Sequence, residues 1–122
     1  MPRLTDPSIL KQIVAALEAS EGCDHVVWHE SAQRELKRDA PRLSQRAVNK
    51  AMRELARAGN VDQARETRPE WMKSSDFHYD FRMKMAGHRV YVETILINDA
   101  PTHPELFVVS FHVDSKPRPG NF

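Results

Sequence analysis

The sequence predicts an α+β domain in which N-terminal helices pack on one face of a C-terminal antiparallel sheet of three or more strands. In the first half of the chain, apolar residues recur every three or four residues, which is the helical period. From Phe77 onward they recur every second residue, which is the period of a strand with one buried face. A length of 122 residues gives room for a single compact domain.

Three helices are predicted from their end signals. Asp6-Pro7 is typical of an N-cap followed by the first helical residue, and Gly22 is expected to end that helix. The second helix is expected at about 29–39, after a short apolar stretch that predicts an extended connector. Ser44 is the expected cap of the third helix, which closes at Gly59-Asn60.

Three strands are predicted at 77–85, 89–97 and 106–113. Ala86-Gly87 is a turn signal between the first two, and the polar residues 61–75 predict a loop or a short irregular helix.

A two-residue turn at this point would place Arg82 opposite Tyr91 and give the hairpin one polar face. That face would carry His78, Asp80, Arg82, Lys84, Arg89, Tyr91 and Glu93. On the third strand, Phe107, Val109 and Phe111 are expected to face the core, and Ser110 and His112 to face outward.

Composition narrows the function classes. No stretch approaches the roughly 18 apolar residues of a membrane span, and the N-terminus lacks a secretory pattern, so a cytoplasmic location is expected. Cys23 is the only cysteine, which excludes an internal disulfide. The histidines show no metal-ligand spacing, and no phosphate-loop or serine-hydrolase motif occurs, so neither a metal nor a cofactor is predicted.

The net charge of +1 hides a basic segment on the second and third helices. On the third helix, a basic stripe at helical spacing consists of Arg46, Lys50, Arg53 and Arg57. Such a stripe predicts an anionic partner, either RNA phosphate or an acidic segment of a protein. The alternative is an ordinary solvated helix face.

The polar face of the hairpin has the residue types that RNA cleavage without a metal requires. The 2′-hydroxyl of RNA attacks the adjacent phosphorus, so the protein must supply a base, an acid and cations. His78 could exchange protons near neutral pH, and Arg82, Lys84 and Arg89 could stabilise phosphate charge. The alternative is again a solvated strand face.

Three segments of the second half resemble a known family. They are Trp71-Met72-Lys73-Ser74, the strand from Phe77 to Phe81, and Gly87 to Val92 together with Val108 to Phe111. These segments resemble the motility quorum-sensing regulator toxins and, more broadly, the RelE-like and colicin-like small ribonucleases. The resemblance implies a metal-independent endoribonuclease toxin of a toxin–antitoxin system, with RNA and a cognate antitoxin protein as partners.

The resemblance also assigns residues. It implies Lys73, His78 and Tyr91 as the catalytic set, although His78 stands where the family has glutamine. A looser similarity in the helices involves Ser31 to Arg34 and Arg38. Residues 29–114 would form the ribonuclease-like core, with 1–25 as a helical extension without a counterpart in the family and 115–122 as a mobile tail.

The predicted site therefore has the catalytic residues above, with Arg82 and Arg89 as further phosphate partners beside the basic stripe. His112 and Arg34 are the next candidates for site residues.

One alternative is a winged-helix DNA-binding regulator whose recognition helix presents Arg46, Asn49, Lys50 and Arg53. The polar residues after Val61 are taken to disfavour it, because a wing strand would begin there at once. A non-catalytic interaction protein and a homo-oligomer also stay open.

Overall fold

The structure, a computed structural model, describes residues 3–19, 25–73, 75–98 and 104–114. Along this part of the chain the elements are α1 (Pro7–Ala19), β1 (Val26–Trp28), α2 (Glu30–Asp39), α3 (Gln45–Arg57), β2 (Asp62–Arg65), α4 (Pro69–Met72), β3 (Phe77–Met85), β4 (His88–Asn98) and β5 (Glu105–Asp114). The strands form one five-stranded sheet in the order β1-β5-β4-β3-β2. Only the β1–β5 pair among them is parallel. The predicted α+β class is confirmed.

The helix starts follow the cap residues that the sequence indicates. The Asp6 carboxylate accepts a hydrogen bond from the backbone N–H of Ser8 at 2.9 Å. The Ser44 hydroxyl oxygen accepts one from the backbone N–H of Ala47 at 3.1 Å. Gly59, at φ +76°, ends α3 in the left-handed conformation that favours glycine. Gly22 and the tail at 115–122 lie outside the described residues.

Helix α2 covers the part of β5 that β1 leaves open. Strand β1 pairs with residues 106–108 of β5 only. At the end of this pairing the backbone N–H of His29 donates to the Val108 carbonyl at 2.8 Å, and beyond it the N–H of Phe111 donates to the Glu35 carboxylate at 3.4 Å. These contacts satisfy strand-edge groups that would otherwise be open to another chain.

Both edge strands differ from the sequence prediction. Strand β1 occupies the predicted connector, and β2 lies within the segment 61–75 that was expected to lack strands, so that prediction was wrong for 62–65. Strand β2 pairs with the first half of β3. It carries no alternation of apolar and polar residues, since all four side chains are at least partly exposed, and so it gives no period-two signal. The short helix α4 matches the expected irregular helical turn.

The central hairpin has the register that a two-residue turn requires. Met85 pairs with His88, and Arg82 lies opposite Tyr91 as predicted. Ala86 and Gly87 both have positive φ, at +50° and +80°. Positive φ at both central positions is typical of a type I′ turn, whose twist matches that of the flanking strands.

Ala86 is therefore a strained residue at a position that favours asparagine or glycine. We expect Ala86→Asn to raise the free energy of unfolding by about 0.5–1 kcal/mol, because alanine has no side-chain group to offset the left-handed backbone. Gly87→Ala is the matched control. A Cβ at Gly87 would meet nothing within 4 Å, so its expected destabilisation of about 1 kcal/mol is a backbone effect alone. Urea unfolding measures both, and equal stability of the three proteins would contradict the turn geometry.

The core lies between the sheet and the three long helices. The sheet contributes Phe81, Met83, Val90, Val92, Leu96 and Phe111, and the helices contribute Ile13, Leu17, Leu36, Val48 and Met52. Ile13 and Leu17 of α1 are fully buried, so α1 is part of this core. The expected packing of helices on one face of the sheet is confirmed for these residues.

A β-bulge changes which side chains of β5 face the core. Glu93 pairs with Ser110, whereas the next residue, Thr94, pairs with Val108. Val109 is therefore the extra residue, and the alternation of side chains along β5 reverses across it. Phe111 belongs to the core as predicted, but the prediction for Phe107 was wrong, because Leu106 and Val108 take the inward positions. Val109 is buried, at 3% exposure, outside the main core cluster.

Within the described residues, no helix has both the length and the apolar character needed to cross a membrane.

Candidate functional site

The outward face of β3, β4 and β5 carries a group of polar side chains that contact one another. It arises because the strands alternate and the register aligns their outward positions, with Asp80 opposite Glu93 and Tyr91 opposite His112. We call the group the polar cluster; it consists of His78, Asp80, Tyr91, Glu93, Ser110 and His112.

Asp80 is the buried centre of the cluster. His78 Nδ1 lies 2.7 Å from one carboxylate oxygen, and the Tyr91 hydroxyl donates to the other oxygen at 2.7 Å. Burial raises the pKa of Asp80, although both hydrogen bonds oppose that effect. Burial and the hydrogen bond to Asp80 raise the pKa of Tyr91 far above its ordinary value. Tyr91 therefore stays protonated and acts as a donor.

Glu93 lies between the two histidines of the cluster. One carboxylate oxygen is 3.8 Å from His78 Nδ1, and the other is 3.5 Å from His112 Nε2. The hydrogen bond with His112 lowers the pKa of Glu93, against the opposing effect of burial. The same interaction raises the pKa of His112. Near neutral pH the pair is thus biased toward a carboxylate facing an imidazolium.

His112 connects the cluster to helix α2. Its Nε2 atom lies 2.5 Å from the Ser110 hydroxyl oxygen, and its Nδ1 atom lies 3.6 Å from the Glu35 carboxylate. About half of the His112 side chain is exposed, at 52%, whereas His78 is 12% exposed. His112 is therefore the histidine of the cluster that solvent and ligands reach more easily.

The segment between β2 and α4 brings a guanidinium group over this face. Arg68 Nη1 lies 3.7 Å from Glu93, and Arg68 Nη2 lies 3.0 Å from the Glu66 carboxylate. The Glu66 side chain is buried at 1% exposure. Glu66 is in turn held by a backbone hydrogen bond from its N–H to the Asp76 carbonyl at 2.9 Å. Arg68 had no sequence signal, because it comes from a polar segment with no periodic pattern.

Two of the three residues predicted to be catalytic meet in the cluster. His78 and Tyr91 are joined through Asp80, whose role the sequence did not indicate beyond placing it on the same face. Lys73 is exposed at the C-terminal end of α4. Among the described residues, no hydrogen bond or ion pair joins Lys73 to the cluster. Ser74, beside it in the motif, lies outside those residues.

The predicted phosphate partners are spread over a wider area. The Arg82 guanidinium lies 5.6 Å from the centre of the Tyr91 ring and 3.9 Å from the Asp62 carboxylate. Arg89 is near the hairpin end, in register with Lys84 on one side and Asp114 on the other.

The helix-borne candidates are not equally exposed. Arg46 and Lys50 are exposed on α3, whereas the Arg53 side chain is only 13% exposed. Arg57 forms ion pairs with Glu18 and Glu54. On α2, Arg34 is exposed and lies 3.4 Å from Glu30. The half of the basic stripe that is open to a phosphate is thus Arg46 and Lys50.

Strand pairing also assembles a set of metal-ligating atoms that linear spacing could not show. One ligand atom each from His78, Asp80 and Glu93 lies within 4.8 Å of the others. One imidazole nitrogen and two carboxylates are a donor set that suits a divalent ion such as Zn²⁺ or Mn²⁺. The same groups form a hydrogen-bonded path for protons, so the arrangement suits either metal binding or acid–base chemistry.

The coupling between Glu93 and His112 predicts a dependence on pH. Because its pKa is raised, His112 stabilises the fold at low pH, and this contribution is lost as pH rises through the raised pKa. Because its pKa is lowered, Glu93 stabilises the fold at high pH, and this contribution is lost as pH falls through the lowered pKa. Both contributions are present between pH 4.5 and 6.5, the ordinary values of the two groups. The stability difference between wild type and Glu93→Gln should be largest there.

The measurement is an NMR titration of His112 combined with urea unfolding over pH. In Glu93→Gln the pKa of His112 should fall toward its ordinary value. Glu35→Gln is the matched control and should lower the pKa less, because the Glu35 carboxylate is a smaller cause of the shift. An unchanged His112 pKa in Glu93→Gln would contradict the pairing.

Comparisons with known proteins found no match for this chain among protein-family models, curated proteins or solved structures.

Proposed function

We propose that the chain is a metal-independent endoribonuclease toxin of a toxin–antitoxin system, with the polar cluster as its active site. One observation carries the proposal most strongly. His78 and Tyr91 are bound to the same carboxylate, that of Asp80, while Glu93 lies between His78 and His112. Two histidines beside one carboxylate provide a base and an acid within a single site.

In the proposed reaction, the RNA 2′-oxygen forms a bond to the adjacent phosphorus and the bond from phosphorus to the 5′-oxygen breaks. The products are a 2′,3′-cyclic phosphate and a 5′-hydroxyl. His78 accepts the proton of the 2′-hydroxyl. Its Nδ1 atom faces Asp80, so Nε2 is the nitrogen directed to substrate. A carboxylate behind the imidazole fixes the ring and stabilises it when it becomes charged.

His112 supplies the second proton transfer. It is held near Glu93, which favours its protonated form, and it donates a proton to the departing 5′-oxygen. Arg68 and Arg82 stabilise the charge on the phosphate oxygens. The Tyr91 hydroxyl donates its proton to Asp80 and so holds the carboxylate that positions His78. A role for Lys73 rests on the family resemblance alone and stays a prediction.

The experiment is cleavage of an end-labelled RNA by the full chain in excess chelator. Wild type should cleave, and His112→Gln should cleave at least about 10²-fold more slowly, because the leaving oxygen loses its acid. Lys11→Gln is a surface control, because Lys11 is exposed on α1 and lies outside the polar cluster, and it should retain activity. Cleavage that requires an added divalent ion would instead indicate that His78, Asp80 and Glu93 bind a metal ion. Absence of cleavage with any RNA would refute the proposal.

RNA binding should depend on Arg46 and Lys50. Replacing both with glutamine should reduce the slope of log affinity against log salt by about 1.4, because about 0.7 counterion is released per phosphate contact with single strands. Arg57→Gln should change the slope less, since Arg57 is already paired with Glu18 and Glu54. Filter binding at several salt concentrations measures the slope for both variants. An unchanged slope in the double variant would indicate that Arg46 and Lys50 lie on an ordinary solvated helix face.

One observation favours the alternative of a winged-helix DNA-binding regulator. Strand β2 begins at Asp62, directly after Val61. The expectation that no strand begins there, which disfavours the winged-helix regulator, was therefore wrong. Against the alternative, β2 is the edge of a five-stranded sheet, and β1 pairs with β5. Asn49 accepts a hydrogen bond from Trp28 at 2.9 Å, so its amide is already engaged within the fold. Salt-dependent binding to duplex DNA without RNA cleavage would support the alternative.

The partner implied by the resemblance is an antitoxin in the same cytoplasm. An acidic antitoxin segment would complement Arg46 and Lys50, and its binding would compete with RNA. A small open reading frame beside the gene, whose product blocks RNA cleavage on co-expression, is the expected finding. A product that binds without blocking cleavage would contradict this partner.

A further inference from the structure

Within the part of the chain that the structure describes, the exposed large apolar side chains are neighbours, in strand register or along the chain, of residues at one corner of the outward sheet face. Among the described residues, the exposed large hydrophobics are Val27 at 38%, Met72 at 53% and Ile97 at 39%. Val27 is in register with Phe107, and Met72 follows Trp71 in α4. Ile97 is two residues beyond Ile95 on β4. Apolar surface that gathers in one place, rather than being scattered, is typical of a binding site.

Three aromatic rings lie at the centre of this corner. The Trp71 ring meets the His29 ring edge to face, with centroids 5.0 Å apart, and lies 5.5 Å from the Phe107 ring. The His29 and Phe107 centroids are 6.0 Å apart. Ile95, which is fully buried, pairs with Phe107 across the strands. We call His29, Trp71 and Phe107 the ring cluster. All three are partly exposed.

The ring cluster continues directly from the polar cluster. Two strands and the segment with Arg68 each supply a polar group and, a few residues away, an apolar one. Strand β4 carries Glu93 and then Ile95, and β5 carries Phe107 before Ser110. The segment that brings Arg68 to Glu93 continues into Trp71, whose backbone N–H donates to the Arg68 carbonyl at 3.0 Å. Two residues along a strand span about 7 Å, so the two clusters are neighbours on one surface.

We propose that the ring cluster binds a nucleobase of single-stranded RNA, next to the phosphate that the polar cluster cleaves. This inference rests on the proposed function and names the form of its substrate. The rings offer π-surface to a base, and Arg68, three residues before Trp71, offers positive charge to the phosphate of the same strand. Unpaired bases stack on aromatic side chains, whereas a duplex keeps its bases inside, so the site selects single strands.

The chain contains its own probe for this binding. Of its two tryptophans, Trp28 is buried at 4% exposure with its indole N–H bound to Asn49, and Trp71 is partly exposed. A short single-stranded RNA with 2′-O-methyl groups cannot be cleaved by 2′-oxygen attack, so binding is measured apart from catalysis. Adding it to the full chain should quench the Trp71 fluorescence and leave the Trp28 emission.

The variants test the stacking directly. Trp71→Leu should weaken binding of the same oligonucleotide by about 5- to 150-fold, the loss expected for one stacked base, whereas Trp71→Phe should bind within a few-fold of wild type. Circular dichroism and urea unfolding confirm that each variant is folded. If Trp71→Leu does not fold, the quenching of wild type and the affinity of Trp71→Phe decide the question.

Three results would overturn the inference: no quenching of wild type, equal affinity for duplex and single strand, or equal affinity of folded Trp71→Leu. Each would mean that the ring cluster does not bind a base of single-stranded RNA. These results are distinguishable from failure of the proposed function. If wild type binds the oligonucleotide through Trp71 but never cleaves RNA, the base-binding site is supported and the nuclease function is refuted. If wild type cleaves RNA but its fluorescence is not quenched, the nuclease function is supported and the base-binding site is refuted.

Discussion

Replacing His78 with alanine is expected to slow RNA cleavage by about 10²-fold or more, the range that general acid–base groups contribute. The Nδ1 atom of His78 lies 2.7 Å from the Asp80 carboxylate and 3.8 Å from the Glu93 carboxylate. Without it, the 2′-hydroxyl loses its base. The rate is measured under single-turnover conditions in chelator, which separates chemistry from product release.

Two further variants make this result specific. Asp80→Asn keeps the shape of the side chain but removes the charge, and we expect a comparable loss, because the imidazole then lacks its carboxylate. His88→Ala is the matched control, since it removes a histidine that begins β4 at the hairpin end, opposite Met85, and does not belong to the polar cluster. Equal rates for wild type and a folded His78→Ala protein would move the active site elsewhere.

The largest expected effect on stability is at Phe81, which lies directly behind the polar cluster. Its ring is fully buried, between Asp80 and Arg82 in sequence and pointing to the opposite side of β3. We expect Phe81→Ala to lower the free energy of unfolding by about 3–5 kcal/mol, because the lost ring leaves a cavity among the helices.

Phe77→Ala is the matched control for this prediction. Phe77 is on the same strand but only partly buried at the edge of the core, so a smaller loss is expected. Denaturant unfolding measures both variants. A loss at Phe81 no greater than that at Phe77 would contradict the core described above.

The central part of the fold could be predicted from the sequence because its signals are local. Strand β3 was predicted with the bounds it has, since its apolar residues alternate without interruption from Phe77 to Met85. The turn at Ala86-Gly87 then fixed the register with β4 and so the polar face. The caps at Asp6 and Ser44 are equally local, because each side chain bonds to backbone within three residues.

The edges of the sheet could not be predicted, because what makes them strands is distant in sequence. Strand β2 is mostly polar, and its strand conformation comes from pairing with β3 and from the bridge between Asp62 and Arg3. Strand β1 joins the far edge through Leu106 to Val108. The bulge at Val109 likewise leaves the apolar pattern of β5 unchanged and shows itself only in the pairing with Glu93 and Thr94. That is why Phe107 was assigned to the wrong face.

In the candidate site, too, the residues with local sequence signals could be predicted and those brought in by distant packing could not. His78 and Tyr91 could be placed on one face from alternation and the turn, and the structure joins them through Asp80. Arg68 reaches the cluster from a segment without a periodic pattern. Glu35 reaches it from the predicted helix α2, but its contact with His112 depends on how α2 packs against β5, which no local signal shows. The exposure of the basic stripe was equally hidden, because the pairing of Arg57 with Glu18 depends on how α1 packs against α3.

The chemistry of the RNA ends tests the central claim most directly. Wild-type protein should cut a defined single-stranded RNA in chelator and leave a 2′,3′-cyclic phosphate and a 5′-hydroxyl, and a 2′-deoxy substitution at the cut site should stop cleavage there. Such ends require attack by the 2′-oxygen, as the arrangement of His78, Glu93 and His112 predicts. Products with a 3′-hydroxyl and a 5′-phosphate, or cleavage that continues past the 2′-deoxy substitution, would contradict the proposed mechanism.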